Sequence, residues 1–192
     1  MLFEQFKNKL IISCQALPDE PLHSPFIMGR MALAAKQVGA VAIRCQSVDD
    51  IVEIKKVTGL PVIGLIKKNY DDSDIYITPT KDEVQALLDI GCEVIALDAT
   101  LRKRPHDEKL EDLVKMIRDG GALSLADISS YEEGINAEKI GFDAISTTLS
   151  GYTPYTPKLV GPDLGLVARL VADTKIPVFA EGRINTPDDL RR

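Results

Sequence analysis

Pro61-Val-Ile-Gly-Leu-Ile-Lys67 is an apolar run of strand length that stops on a lysine, and a helix start follows at Thr80-Lys-Asp-Glu83. The same unit recurs to either side. Leu10–Cys14 ends at Gln15, Ala40–Ile43 at Arg44, Glu93–Leu97 at Asp98, Ala122–Ala126 at Asp127, Asp143–Ser146 at Thr147 and Thr148, and Ile176–Ala180 at Glu181. Each run gives way to a helical pattern. Strands that alternate with helices predict a parallel sheet. In such sheets the residues at the carboxyl ends of the strands converge on one rim, where ligands bind. This rim gathers an arginine, a lysine and several acids, a set suited to an anionic small molecule.

Helix signals fall where that alternation needs them. Ser24-Pro25 puts a cap and a first-turn proline ahead of Phe26–Ala35, and Ser47-Val-Asp-Asp50 is a weaker cap. Ser130-Tyr-Glu-Glu133 reads as a capping box, and Thr186-Pro-Asp-Asp189 opens a last helix. Gly39, Gly59, Gly91, Gly120 with Gly121, and Gly141 each close an apolar-periodic segment. Strand starts recur every ~20–35 residues, the size of one β-plus-α unit. The expected fold is α/β, a (β/α)8 TIM barrel truncated after its seventh strand: one domain over residues 1–192 that lacks the eighth strand and last helix. Typical barrels of this kind have about 250 residues. An open doubly wound sheet is the competitor, but no G-x-G-x-x-G follows the first strand and no G-x-x-x-x-G-K-[ST] occurs. A barrel without its eighth strand has two exposed edges.

The chain has 192 residues, 45% hydrophobic and 27% charged, with a formal net charge of −6. No basic run stands out, so nucleic acid and anionic membranes are not expected partners. No apolar stretch approaches the roughly 20 residues of a membrane span, and Met1–Lys9 carries mixed charges unlike a secretory signal. Cys14, Cys45 and Cys92 lack C-x-x-C spacing. That argues against a disulfide framework or a zinc site and for packing thiols in a reducing cytoplasm. If Gln15 and Arg44 face the barrel interior, alternation turns Cys14 and Cys45 outward, under the helices.

Lys67 is expected at the mouth of an apolar barrel. Partial burial lowers its pKa and nearby Arg44 lowers it further, while Glu181, if close, opposes both. The neutral amine that results is a base. The plain alternative is a solvated lysine that opens a loop with Lys68. Glu181 sits in Phe179-Ala-Glu-Gly-Arg183, and an acid after a buried run is costly without a partner or a function. Gly182 permits close backbone approach, and Arg183 adds a donor pair suited to phosphate. Alternatively, Glu181 and Arg183 form an ion pair that closes a loop. Asp98 and Asp127 orient a lysine, bind a sugar hydroxyl, or merely cap their loops. Ser146–Tyr155 is rich in hydroxyls around Gly151, which suits a sugar or phosphate site or a hydroxyl-stabilised surface loop. Asn69–Asp72 reads as a rim loop without the spacing of a metal site. His23 and His106 read as structural.

Taken together, Ile12-Ser-Cys-Gln-Ala-Leu-Pro-Asp-Glu-Pro-Leu22, Ile63-Gly-Leu-Ile-Lys-Lys-Asn-Tyr70, Ala96-Leu-Asp-Ala-Thr100, Ser146-Thr-Thr-Leu-Ser-Gly-Tyr-Thr-Pro154 and Glu181-Gly-Arg-Ile-Asn-Thr-Pro187 resemble the N-acetylmannosamine-6-phosphate 2-epimerases. The likeness runs from the first strand to Arg192. It implies interconversion of N-acetylmannosamine 6-phosphate and N-acetylglucosamine 6-phosphate in bacterial sialic acid breakdown, with no cofactor and no metal. It also implies Lys67 and Glu181 as the catalytic pair and Arg44 and Asp127 as rim residues. Chains of that family continue through a Gly-rich eighth strand and a following arginine, where this sequence departs. The expected assembly is a homo-oligomer, a dimer, in the cytoplasm.

The residue chemistry agrees with that reaction. In the open-chain sugar C2 lies beside the C1 aldehyde, so its proton is removable. Lys67 is expected to move that proton while Glu181 works at the C1 oxygen or returns a proton to the opposite face. Arg44 is expected to stabilise the enolate, Asp127 to orient Lys67 or hold a hydroxyl, and Gln15 to read the N-acetyl group or a hydroxyl. Gly182, Arg183 and the region of Thr148 are expected to hold the phosphate. Two rivals stay open: a Schiff-base aldolase working through Lys67, and an inactive phosphosugar-binding remnant. A phosphate-barrel decarboxylase is disfavoured because no D-x-K-x-x-D follows any strand.

Overall fold

All seven apolar runs form strands. They are β1 (Ile11–Cys14), β2 (Ala42–Gln46), β3 (Val62–Leu65), β4 (Val94–Asp98), β5 (Leu123–Asp127), β6 (Ala144–Ser146) and β7 (Val178–Phe179). The structure, a computed structural model, describes residues 2–192. Its strands pair in parallel in chain order, β1 through β7, with β1 and β7 at the two edges of the sheet. The helices are α1 (Leu2–Phe6), α2 (Pro25–Gln37), α3 (Val48–Thr58), α4 (Lys81–Asp89), α5 (Leu110–Asp119), α6 (Tyr131–Ile140), α7 (Leu164–Asp173) and α8 (Pro187–Arg191). One helix after each strand, with sequential parallel pairing, gives the TIM-barrel-like α/β fold. None of the described helices is long and apolar enough to cross a membrane.

Alternation along the strands sorts the side chains into two layers. Ile43, Cys45, Ile95, Leu97, Ala126 and Ile145 pack outward against the helices. Cys14 lies in that same layer, and all three cysteines are buried and free. Ala42, Ile63, Leu65, Val94, Ala96, Leu125 and Ala144 point inward, where Phe3 and Phe6 of α1 join them. A fully buried Leu or Ile contributes about 1.5–3 kcal/mol, so each layer is a substantial fraction of the stability. Gly64 is needed for this packing, because a Cβ there would lie 2.5 Å from Cys92 Sγ and 2.9 Å from Ile51 Cδ1.

α1 was not legible in Met1–Lys9, since five helical residues of mixed polarity carry no periodic signal. Its aromatic side chains supply the reason it forms: Phe3 meets Phe179 of β7 edge-on at 5.6 Å, inside the barrel. The expected end of the second strand also needs correction. β2 runs on to Gln46, so Arg44 lies within the strand and not at its end. Cys45 and Gln46 continue the pairing, opposite Gly64 and Leu65, and the Gln46 amide donates to Ala16 O at 3.0 Å. Thr80 and Ser130 form the expected capping boxes with Glu83 and Glu133. Ser24 is extended ahead of Pro25 but makes no side-chain cap bond.

Candidate active site

Register brings the inward polar residues to one level. Ser13 pairs with Arg44 across β1 and β2, and Asp98 with Asp127 across β4 and β5. Asp127 is in turn paired with Ser146, and Ser146 with Phe179, which leads directly to Glu181. Above them lies a cavity of about 620 Å³ whose lining includes Gln15, Arg44, Lys67, Tyr76, Thr148 and Glu181. Below it the barrel is apolar.

Arg44 organises this level. It is 3% exposed, yet it meets Asp127 Oδ2 through Nη2 at 2.6 Å and lies with Nε 3.0 Å from Glu181 Oε1. Nε is not aligned for a hydrogen bond to that oxygen, and Nη1 has no partner either. Burial alone would depress the guanidinium pKa, but the Asp127 and Glu181 carboxylates outweigh it and raise the pKa, so the cation is secure. A buried guanidinium with unmet N–H groups beside a cavity is a ready anion receptor.

Lys67 is half-buried at the top of β3, and its backbone bridges to Ile77 in the loop before α4. Its pKa is lowered, chiefly by burial and then by Arg44, with Glu20, Glu181 and Asp127 opposing. The carboxyl of Asp127 is pushed upward, mainly by burial, with Arg44 opposing and Glu181 adding to it. Glu181 is 30% exposed toward the cavity, and its Oε2 lies 3.0 Å from both Ser146 Oγ and Thr148 Oγ1.

The remaining candidates divide. Gln15 lines the cavity, and its amide donates to Ser13 Oγ at 2.7 Å. Gly182, at φ +96°, holds a backbone conformation that favours glycine, and a Cβ there would stand 3.7 Å from Thr148 O. Arg183 donates from Nε to Gly161 O at 2.9 Å and from Nη1 to Ser150 O at 2.6 Å, and its guanidinium lies over Tyr152. It thus ties the loop after β6 to the loop after β7, and the ion pair of Glu181 is with Arg44. The Thr148 hydroxyl, two residues beyond the end of β6, meets Asp127 Oδ1, Ser146 Oγ and Glu181 Oε2, so it serves the carboxylates and no contact ties it to Gly182 or Arg183.

Asp98 serves its own loop. Its Oδ1 accepts from Thr100 N and Oγ1, and its Oδ2 pairs with Arg102 at 2.5 Å. His23 Nδ1 lies 3.1 Å from Ala16 O, and His106 packs edge-on against Tyr70. Two residues of the site had no individual signal in the sequence. Tyr76 lines the cavity because the Lys67–Ile77 bridge brings its loop there. Ser146, visible only as part of a hydroxyl-rich stretch, is buried against Thr148 and Glu181. Among the described residues no group of three or more His, Cys, Asp or Glu is placed to hold a metal ion.

With this geometry in hand, comparison with known proteins is specific. A family model described as "Putative N-acetylmannosamine-6-phosphate epimerase" matches residues 28–192. A Clostridioides difficile protein named "Putative N-acetylmannosamine-6-phosphate 2-epimerase" is 64% identical over 191 residues, spanning 100% of this chain and 86% of that protein. The solved N-acetylmannosamine-6-phosphate 2-epimerase of Clostridium perfringens superimposes with a TM-score of 0.98 at 62% identity, covering 100% of this chain and 83% of that one. The deoxyribose phosphate aldolase of Aeropyrum pernix, at 17% identity and a TM-score of 0.67, shares the fold alone.

Proposed function

The chain belongs to the N-acetylmannosamine-6-phosphate 2-epimerase family, and from that premise we propose that it interconverts N-acetylmannosamine 6-phosphate and N-acetylglucosamine 6-phosphate by moving the proton on C2. It is an epimerase, and its place is in sialic acid and amino sugar catabolism as an N-acylglucosamine-6-phosphate 2-epimerase. One observation carries the mechanistic reading: Lys67 and Glu181, from β3 and from the far edge of the sheet after β7, line the same cavity as the unmet N–H groups of Arg44.

In the open-chain sugar the C1 carbonyl makes the C2 proton acidic. Lys67, whose pKa is lowered by burial and by Arg44, supplies a neutral amine to take it. The enolate that forms carries its charge on O1, where Arg44 Nε–H and Nη1–H are unpaired and already in place. A donor fixed before the charge develops costs no reorganisation at the moment of reaction. Asp127 holds Arg44 through Nη2 and Glu181 stands beside Nε, leaving Nη1 as the nitrogen without a carboxylate. Glu181, open to the cavity, acts at the C1 oxygen or delivers a proton to the opposite face. The Gln15 amide reads the N-acetyl group or a hydroxyl. The phosphate end lies toward Gly182 and Arg183, with only Nη2 of that arginine not engaged on a carbonyl. The expectations of a dimer and of a cytoplasmic setting rest on the family alone.

Turnover of N-acetylmannosamine 6-phosphate by the purified chain tests this reading. Wild type produces N-acetylglucosamine 6-phosphate, and Lys67→Ala and Glu181→Gln do not. Normal turnover by both variants removes the proposed pair from the chemistry.

A further inference from the structure

Thr148 sits between two carboxylates that share a single cation. Its Oγ1 lies 2.7 Å from Asp127 Oδ1, 2.8 Å from Ser146 Oγ and 3.0 Å from Glu181 Oε2, and Ser146 Oγ is 3.0 Å from that same Oε2. Those are four oxygen–oxygen contacts of hydrogen-bond length. The two hydroxyls bring one proton apiece, so Thr148 can donate along only one of its three contacts at a time, and a further proton on a carboxylate would fill another. Ionised carboxylates bring none. Asp127 is also fully buried, with its Oδ2 committed to Arg44. Although Arg44 opposes it, burial and the neighbouring Glu181 carboxylate push the Asp127 carboxyl upward. The cluster is built for an additional proton.

We propose that Thr148 is a proton-sharing bridge through which Asp127, sealed from solvent, stores a proton for Glu181 during turnover. The step balances within the cluster. The O–H bond of protonated Glu181 breaks as a new one forms at Thr148 Oγ1, while the proton already on Thr148 passes to Asp127 Oδ1. The reverse movement returns the proton to Glu181 for delivery with no change in total charge. Between turnovers the proton spent on the substrate is replaced from solvent at the part-exposed Glu181, while Lys67 releases the one it took. Thr148 acts through its neighbours and is a positioning residue. The inference deepens the epimerase reading and rests on it, because it requires Glu181 to handle a proton.

Other charged and titratable groups face this cluster from every side. Arg44 comes from β2, Lys67 from the end of β3, Tyr76 from the following loop, and Asp98 with Arg102 from β4. β1 and the residue after it bring no charged group to the cavity, only apolar side chains with Ser13 and Gln15. The Thr148 hydroxyl favours the ionised form of Asp127, so its removal moves the proton uptake of the pair to higher pH. Coupled groups of this kind titrate as a pair, and the shift is read on the pair.

The test is kcat and KM against pH for wild type, Thr148→Val and Thr148→Ser, with N-acetylmannosamine 6-phosphate as substrate. The expected result for Thr148→Val is a kcat lower by about tenfold or more, little change in KM, and an alkaline limb, where the stored proton is lost, moved to higher pH, while the acid limb set by Lys67 stays in place. Thr148→Ser restores both. An alkaline limb that stays in place in Thr148→Val overturns the proposal, whatever happens to kcat, as does a shift that Thr148→Ser fails to repair. If Thr148→Val does not fold, the wild-type rate in mixtures of H2O and D2O decides. A bowed dependence, meaning two protons in flight, supports the bridge, and a straight line overturns it. A wild type without turnover overturns the epimerase reading, and the bridge falls with it.

Discussion

Buried acids at the same end of this barrel have two contrasting fates. Glu133 is 0% exposed, and every side of its carboxylate is met. It accepts from Leu101 N, Ser129 N and Oγ, Ser130 N and Tyr155 Oη. Glu83 similarly accepts from Thr80 N and Oγ1, Tyr70 Oη and Lys68 Nζ. Both are capping-box glutamates that also fasten loops, Glu83 the one leading into its own helix and Glu133 those of the neighbouring units through Leu101 and Tyr155. Asp127 and Glu181, by contrast, crowd around Arg44, whose Nε and Nη1 remain unmet. A satisfied network rigidifies, while a buried group left short of partners is expensive unless a ligand completes it. Glu133 and Glu83 hold the frame, and the Arg44 cluster is where the substrate belongs.

Substitutions can break or sharpen that contrast. The largest effect is expected at Lys67→Ala, which removes the base and lowers kcat by about 10²–10⁴-fold. A stopped-flow or end-point assay of the sugar phosphates measures it. Asp127→Asn comes next. It leaves Arg44 with only half of its compensation, and removing one partner of a buried pair costs about 3–5 kcal/mol, read by urea denaturation, together with a fall in kcat. Glu133→Gln separates the two fates most cleanly. It weakens contacts to three loops and lowers stability by about 1–3 kcal/mol, while the chemistry at C2 continues. An inactive Glu133→Gln of unchanged stability would erase the distinction.

The smallest effect is on pH dependence. Because burial and then Arg44 lower the Lys67 pKa, the working amine is neutral above that lowered value and is lost by protonation as pH falls through it. Glu181 favours the ammonium form, so any residual rate of Glu181→Gln should show its Lys67 limb displaced to still lower pH. A limb that moves upward would place the two groups in different surroundings from those described here.

Much of this was legible in the sequence. Apolar runs ending on polar residues located all seven strands, and strand alternation sent Cys14 and Cys45 outward. The capping boxes at Thr80 and Ser130 were local four-residue patterns and formed as read. What failed was whatever depended on distant partners. Arg44 is interior to β2 because Gln46 finds Ala16 O across a loop. Arg183 looks like a phosphate ligand in its own pentapeptide, yet it spends Nε and Nη1 on carbonyls some thirty residues earlier or less, at Gly161 and Ser150. The second duty of Glu133, on Tyr155, is likewise invisible to any local pattern. Helical and strand period can be read from neighbours, but the choice of hydrogen-bond partner is made by the assembled sheet.

Everything turns on whether an amine from β3 moves the proton at C2. Proton NMR of N-acetylmannosamine 6-phosphate in D2O reports this directly, through the C2 hydrogen and the appearance of the epimer. With wild type, deuterium should enter C2 as N-acetylglucosamine 6-phosphate accumulates, and with Lys67→Ala neither change should occur. Incorporation of deuterium at C2 by Lys67→Ala at the wild-type rate would contradict the account.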